Sequence, residues 1–203
     1  MDVDDKKNIN IYTSLLEKYG EDYRALDWGS KESQELRFKI LAEIGLNFGD
    51  SVLDVGCGLA DFYSWIKNNV DGINYSGLDI TPEMIDKSKK RFPKIEFKQG
   101  TIHDENISNQ NFDFIFASGI FVFRKKEPLS YMKKTIKKMY DISIKGVAFN
   151  SLSHFSPNKS KNEFYADPSE IFQYCMSISS KVILRHDYHL SDFTIYLYKD
   201  ISS

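Results

Sequence analysis

Val52-Leu53-Asp54-Val55-Gly56-Cys57-Gly58-Leu59-Ala60-Asp61 decides how this chain folds. A short β-branched run feeds a tight turn with two glycines, and a helix follows. Glycine tolerates positive φ and lets a ligand approach the backbone closely. The first turn of the next helix offers N–H groups with no partner inside the helix. Asp79 stands 21 residues after Gly58, closing the next strand-like run. In dinucleotide-type folds an acid at about that spacing accepts hydrogen bonds from ribose hydroxyls.

On both sides of this segment, strand-like and helix-like runs alternate. Strands are predicted at 51–55, 74–79, 95–98, 112–118, 146–151, 181–185 and 193–199. Helices fill the intervals. Thr81-Pro82-Glu83 opens one, with Thr81 read as a capping hydroxyl and Met84, Ser88 and Phe92 following at helical spacing. Tyr131, Thr135, Ile136 and Met139 mark a second, and Asp167-Pro168-Ser169-Glu170 starts a third. A helix over 33–46 precedes the first strand. The last two strands lie too close in sequence for a parallel crossover, which takes a dozen or more residues. The expectation is an α/β, doubly wound, seven-stranded, mostly parallel sheet with the last strand antiparallel and helices on both faces. Residues 1–46 are read as an N-terminal helical lid segment and 47–203 as the main domain, in a single compact whole.

Composition narrows the partners. Twenty-seven basic against 29 acidic residues give a net charge of −2, so nothing electrostatic calls for nucleic acid or an anionic membrane. No apolar stretch approaches the roughly 18 residues of a membrane span. With two cysteines, Cys57 and Cys175, there is no disulfide framework, and a cytoplasmic location is expected. Lys125, Lys126, Lys133, Lys134, Lys137 and Lys138 could pass for a nucleic-acid patch, but they read better as the solvated face of a helix. The four histidines complete no metal pattern, and no metal is expected.

Glycines and acid together describe an adenosine-type cofactor. A nicotinamide dinucleotide site usually has a third glycine where this chain has Asp61, and an acid there would repel a pyrophosphate. A cation with a sulfonium and an amino group tolerates Asp54 and Asp61 well, and S-adenosylmethionine is such a ligand.

Three segments carry a resemblance. Leu53-Asp54-Val55-Gly56-Cys57-Gly58, Gly77-Leu78-Asp79-Ile80-Thr81-Pro82-Glu83-Met84 and Phe112-Asp113-Phe114-Ile115-Phe116-Ala117-Ser118 resemble the first, second and fourth motifs of class I S-adenosylmethionine-dependent methyltransferases. The resemblance spans about residues 46–199. It implies that Gly56 and Gly58, with Cys57 between them, line the methionine part of the cofactor. It further implies that Asp79 binds the ribose, that Ile80 and Met84 flank the adenine, and that Ala117 and Ser118 lie beneath the cofactor. Where the family often has Gly-Asp after the third strand, this chain has Gly100-Thr101-Ile102. An adenine contact from Thr101 or Ile102 would therefore use backbone or hydroxyl rather than carboxylate.

The expected reaction is methyl transfer to an oxygen or nitrogen of a small molecule or glycan precursor, with S-adenosylhomocysteine as product. Alignment of nucleophile, methyl and sulfur supplies most of the rate gain. His154, His186 or Tyr188 could take the acceptor's proton. Trp28 begins a turn before the 33–46 helix and reads as part of a lid, with Arg37 placed to pair with the cofactor's carboxylate. An NAD-dependent oxidoreductase and a catalytically silent binding module are the alternatives. The sequence leaves the oligomeric state open.

Overall fold

The computed structural model describes residues 3–108, 110–123 and 125–200. The chain divides into two compact units, Met1–Thr101 and Ile102–Ser203.

The first unit begins with helix α1 (Val3–Tyr19), a 3₁₀ turn (Tyr23–Leu26) and helix α2 (Lys31–Ala42). It continues through β1 (Ser51–Val55), α3 (Asp61–Asn69), β2 (Asn74–Asp79), α4 (Pro82–Arg91) and β3 (Glu96–Gln99). The three strands are parallel in the order β3-β2-β1, with Asp54 opposite Gly77 and Asp79 opposite Gln99. Strands of a parallel sheet are covered on both faces and read as apolar runs; Val52, Leu53, Asp54 and Val55 are all buried. Phe38 of α2 packs on Phe62 of α3 with ring centroids 5.1 Å apart.

The second unit holds α5 (Glu105–Ser108), β4 (Phe112–Ala117), α6 (Pro128–Ile142), β5 (Ser143–Leu152), α7 (Pro168–Met176), β6 (Lys181–Arg185) and β7 (Asp192–Tyr198). Its strand order is β4-β5-β7-β6, with β7 antiparallel to both neighbours. Fully buried Phe116, Phe149 and Phe193 come from three adjacent strands. The seven strands make the mostly parallel sheet with a reversed last strand that the sequence predicts. Among the described residues no helix is long and apolar enough to cross a membrane.

Several element boundaries and one cap differ from the sequence reading. Thr81 makes no side-chain cap bond; its N–H instead donates to Asp79 Oδ1 at 2.8 Å. The 33–46 helix runs only Lys31–Ala42, followed by Gly45 at φ 108°. β5 starts directly after α6, three residues before Gly146, because exposed Ile144 and Lys145 hide the strand pattern. Helix α1 has only Asp5 and Leu16 buried, so its apolar stripe is faint.

The lysine-rich helix is α6. Met132, Thr135, Ile136 and Met139 are buried on one side, while Lys133 pairs with Glu170 at 2.7 Å and Lys137 with Asp141. This is an ordinary ion-paired outer face.

Candidate active site

The glycine turn is built by backbone geometry. Gly56 and Gly58 have φ of 75° and 52°, and Ala60, just before α3, joins them at 59°. The N–H groups of Gly56 and Cys57 both donate to Leu78 O, at 2.7 and 3.0 Å. Gly58 N–H donates to Asp79 Oδ2 at 2.8 Å. Asp79 therefore holds the turn with one oxygen and the start of α4 with the other. The acid singled out in the sequence is a structural clasp.

Helix α4 grips the same turn from its buried side. Ser88 Oγ donates to Gly58 O at 2.9 Å, and Arg91 Nη1 donates to Leu59 O at 2.9 Å and to Asp61 Oδ1 at 2.6 Å. Asp61 Oδ2 accepts from Gln34 Nε2 at 3.1 Å, tying α2 to the first residue of α3. Ser88 and Arg91 escaped the sequence reading as turn contacts. Their signal was available: they stand four and seven residues after Met84, on one helix face.

The electrostatics are those of buried carboxylates. Asp54 accepts a 2.6 Å hydrogen bond from Tyr75 OH. Burial, countered by that bond and reinforced by the charge of Asp79, pushes the Asp54 carboxyl up to about 7. Burial also raises Asp79, against the pull of the Thr81 and Gly58 N–H groups. The Cys57 thiol is pushed well above its usual range by burial and by both acids. It stays protonated near neutral pH and is a poor nucleophile. A turn flanked by such acids suits a cation better than a phosphate.

The remaining sequence-selected residues of this unit divide clearly. Met84 is buried in a cluster with Leu16, Ala25 and Leu59, against which Tyr12, Tyr19 and Leu26 pack. Ile80 is half-buried at the end of β2, and Thr101 is half-buried after β3. Arg37 donates from Nη1 to Ser33 O at 2.6 Å and to the Ser33 hydroxyl, and its guanidinium lies 5.0 Å from the Trp28 ring. Tyr12 and Leu26 were not selected from sequence. Both lie in segments whose helical pattern is faint.

In the second unit, Ile102 and Ala117 are buried. Ser118 and Gly119 are held by Asn150, whose Nδ2 donates to Ser118 Oγ at 3.0 Å and whose Oδ1 accepts from Gly119 N–H at 2.8 Å. Asn150 is another residue missed in the sequence; its role follows from register alone. The loop after β5 folds back, with His154 N–H donating to Ala166 O at 2.7 Å and Phe164 N–H to Val122 O at 2.6 Å. Exposed Phe155 lies between two imidazoles, 5.8 Å from His154 and 6.2 Å from His186 between centroids. His186 Nε2 is 2.7 Å from Ser153 Oγ, while Tyr188 OH is 2.8 Å from Thr194 Oγ1. His154 and His186 thus each lie against the Phe155 ring; Tyr188 is turned onto β7.

A glycine turn clasped by an acid at the end of β2, in a seven-stranded sheet with a reversed last strand, defines the class I methyltransferases. The chain belongs to this S-adenosylmethionine-dependent methyltransferase family: it is 31% identical over 160 residues to a Mycobacterium tuberculosis protein described as a methyltransferase, covering 73% of this chain and 93% of that one. A family model described as a methyltransferase domain matches residues 52–142. Among solved structures, DhpI with bound S-adenosylhomocysteine superposes with a TM-score of 0.66 over 95% of each chain at 11% identity. Magnesium protoporphyrin IX methyltransferase from Synechocystis PCC 6803 gives 0.59 over 82% of each chain at 10% identity.

Proposed function

We propose that this enzyme transfers the methyl group of S-adenosylmethionine to an oxygen or nitrogen of a small molecule or glycan precursor. The observation that carries this reading is the Gly58 N–H bond to Asp79 Oδ2. It joins the turn to an acid whose two oxygens suit the paired hydroxyls of a ribose, in a family of methyltransferases. The acceptor's lone pair attacks the methyl carbon while the C–S bond breaks, its electron pair passing to sulfur. The sulfonium becomes the neutral thioether of S-adenosylhomocysteine.

In this reading Gly56, Cys57 and Gly58 line the methionine part, and Ile80 and Met84 flank the adenine with Thr101 and Ile102. Ala117 and Ser118 lie beneath the cofactor. Asp61 supplies negative potential, although it already pairs with Arg91, and Asp54 adds to it only as pH rises past about 7. Residues 1–46 act as a lid at the donor site, with Trp28 and Arg37 at its base. His154, His186 and Tyr188 are the general-base candidates, of which His186 is bonded to Ser153 and Tyr188 to Thr194. Two buried, unpaired cysteines suit a reducing, cytoplasmic setting.

Calorimetry with S-adenosylmethionine, S-adenosylhomocysteine and NAD tests the reading. Saturable binding of the first two and none of NAD is expected. Binding of NAD alone would overturn it.

A further inference from the structure

His186 is tied to the end of β5 through Ser153. That serine is fully buried and its backbone is held from three directions. Its N–H donates to Ser191 O at 2.8 Å, its C=O accepts from Ser156 N–H at 2.9 Å, and it forms an isolated parallel bridge with Ala166. The hydroxyl has two contacts. Oγ accepts the Phe155 N–H at 3.1 Å, a local turn of the kind serine favours, and lies 2.7 Å from His186 Nε2. A hydroxyl has one hydrogen to donate. Phe155 N–H is itself a donor, so among the described residues His186 Nε2 is the acceptor that hydrogen has.

That assignment fixes the neutral ring. With Nε2 accepting from Ser153, the imidazole hydrogen sits on Nδ1. Nδ1 meets no partner among the described residues, and the ring is only half-buried, so an N–H donor is left unused beyond the carboxyl end of β5. Arg185 and Asp187, its neighbours in the chain, pair with each other at 2.7 Å, and neither takes up that donor. Beside it stands Phe155, 64% exposed, its ring 6.2 Å from the His186 ring and inclined to it by 77°. A single exposed apolar side chain is ordinary on a protein surface. A ring set between two imidazoles, next to an unused donor, is a recognition element.

Resting on the methyl transfer proposed above, we propose that Ser153 is a positioning residue for recognition of the methyl acceptor. It holds His186 as the Nδ1–H tautomer, and that N–H binds a carboxylate or carbonyl oxygen of a flat, ring-bearing acceptor whose ring packs on Phe155. Ring-on-ring contact supplies apolar burial with a preferred geometry, and an N–H bond to a carboxylate supplies direction. His186 in this role orients the acceptor and does not take its proton, because the lone pair of its neutral ring is engaged by Ser153. Deprotonation falls to another group. The acceptor is thereby narrowed to small molecules with a planar ring and such an oxygen.

Two measurements on the full-length protein test this. Both read the histidine ring nitrogens by NMR at about pH 8.5, above the usual imidazole range, with His186 assigned by comparison with His186→Gln. In the first, wild type should show His186 with a protonated Nδ1 and a bare Nε2. Ser153→Ala should lose that preference and populate both tautomers, and Ser153→Thr, which keeps the hydroxyl, should retain it. A wild-type His186 with its hydrogen on Nε2 would overturn the role of Ser153 without recourse to any variant. In the second, benzoate is titrated into protein saturated with S-adenosylhomocysteine. It should bind saturably and shift the His186 nitrogens, and its affinity should fall by about fivefold to tenfold in Ser153→Ala and in Phe155→Ala. Benzoate that leaves His186 unmoved, or that binds both variants as it binds wild type, would overturn the acceptor subsite while the donor reading stands. Wild-type protein that takes up no S-adenosylhomocysteine would overturn the methyl-transfer reading instead; the tautomer measurement needs no cofactor and still decides the role of Ser153.

Discussion

Replacing Asp79 with alanine separates binding from folding less cleanly than sequence reasoning expects. A surface acid that only touched a ribose could be removed without harm to the fold. Here the two carboxylate oxygens each accept a backbone N–H at 2.8 Å, from Gly58 and from Thr81. Alanine leaves both buried donors without their partners, at about 1–3 kcal/mol each. Relief from burying a carboxylate, whose burial raises its pKa, offsets part of that. The net expectation is a loss of about 2–4 kcal/mol in unfolding free energy. Cofactor affinity should fall as well, by at least about tenfold, since bonds from ribose hydroxyls to a charged acceptor contribute about 1.5–3 kcal/mol each. Urea unfolding without ligand gives the first quantity, and calorimetry on the fraction that stays folded gives the second. Asp79→Asn keeps one acceptor and should fall between wild type and alanine in stability. An alanine variant as stable as wild type would refute the clasp, and one that binds S-adenosylmethionine equally well would remove Asp79 from the donor site.

Two further perturbations probe the same region. The Asp54 carboxyl is held at about 7 against 3.8 when free, so between roughly pH 4 and 7 the folded chain keeps a proton that the unfolded chain releases. Its contribution to stability is therefore fully present at low pH and is lost as pH rises through that window, by at most about 4 kcal/mol. Asp54→Asn, still an acceptor for Tyr75, should flatten this dependence and be the more stable protein at pH 8. Parallel pH profiles in urea melts would contradict the assignment. Gly77→Ala would set a Cβ 2.6 Å from Phe97 Cδ1 and 2.8 Å from Cys57 Sγ. Overpacking of this kind costs about 1–3 kcal/mol, and displacing Cys57 should also weaken cofactor binding. A thermal midpoint and affinity matching wild type would show that the sheet yields without disturbing the turn.

The sequence by itself determined the parts of this protein whose physics is local. Glycines at 56 and 58 mark a turn because few other residues adopt positive φ, and the apolar runs of β4 and β7 need burial on both faces wherever they lie. The short link between β6 and β7 forces an antiparallel pair. From these the class of fold and the donor were legible, and Asp79 stood out as a candidate. Tertiary structure decided what depends on residues meeting from distant segments. That Asp79 clasps the turn, that Ser88 and Arg91 hold it from α4, and that Asn150 fixes the turn after β4 all follow from packing and register. Leu26 and Tyr12 carry no motif. Leu26, in the 3₁₀ turn, reaches the glycine turn because Gly58 offers no side chain to keep it away, and Tyr12 packs on the cluster beside it from a helix with few buried positions.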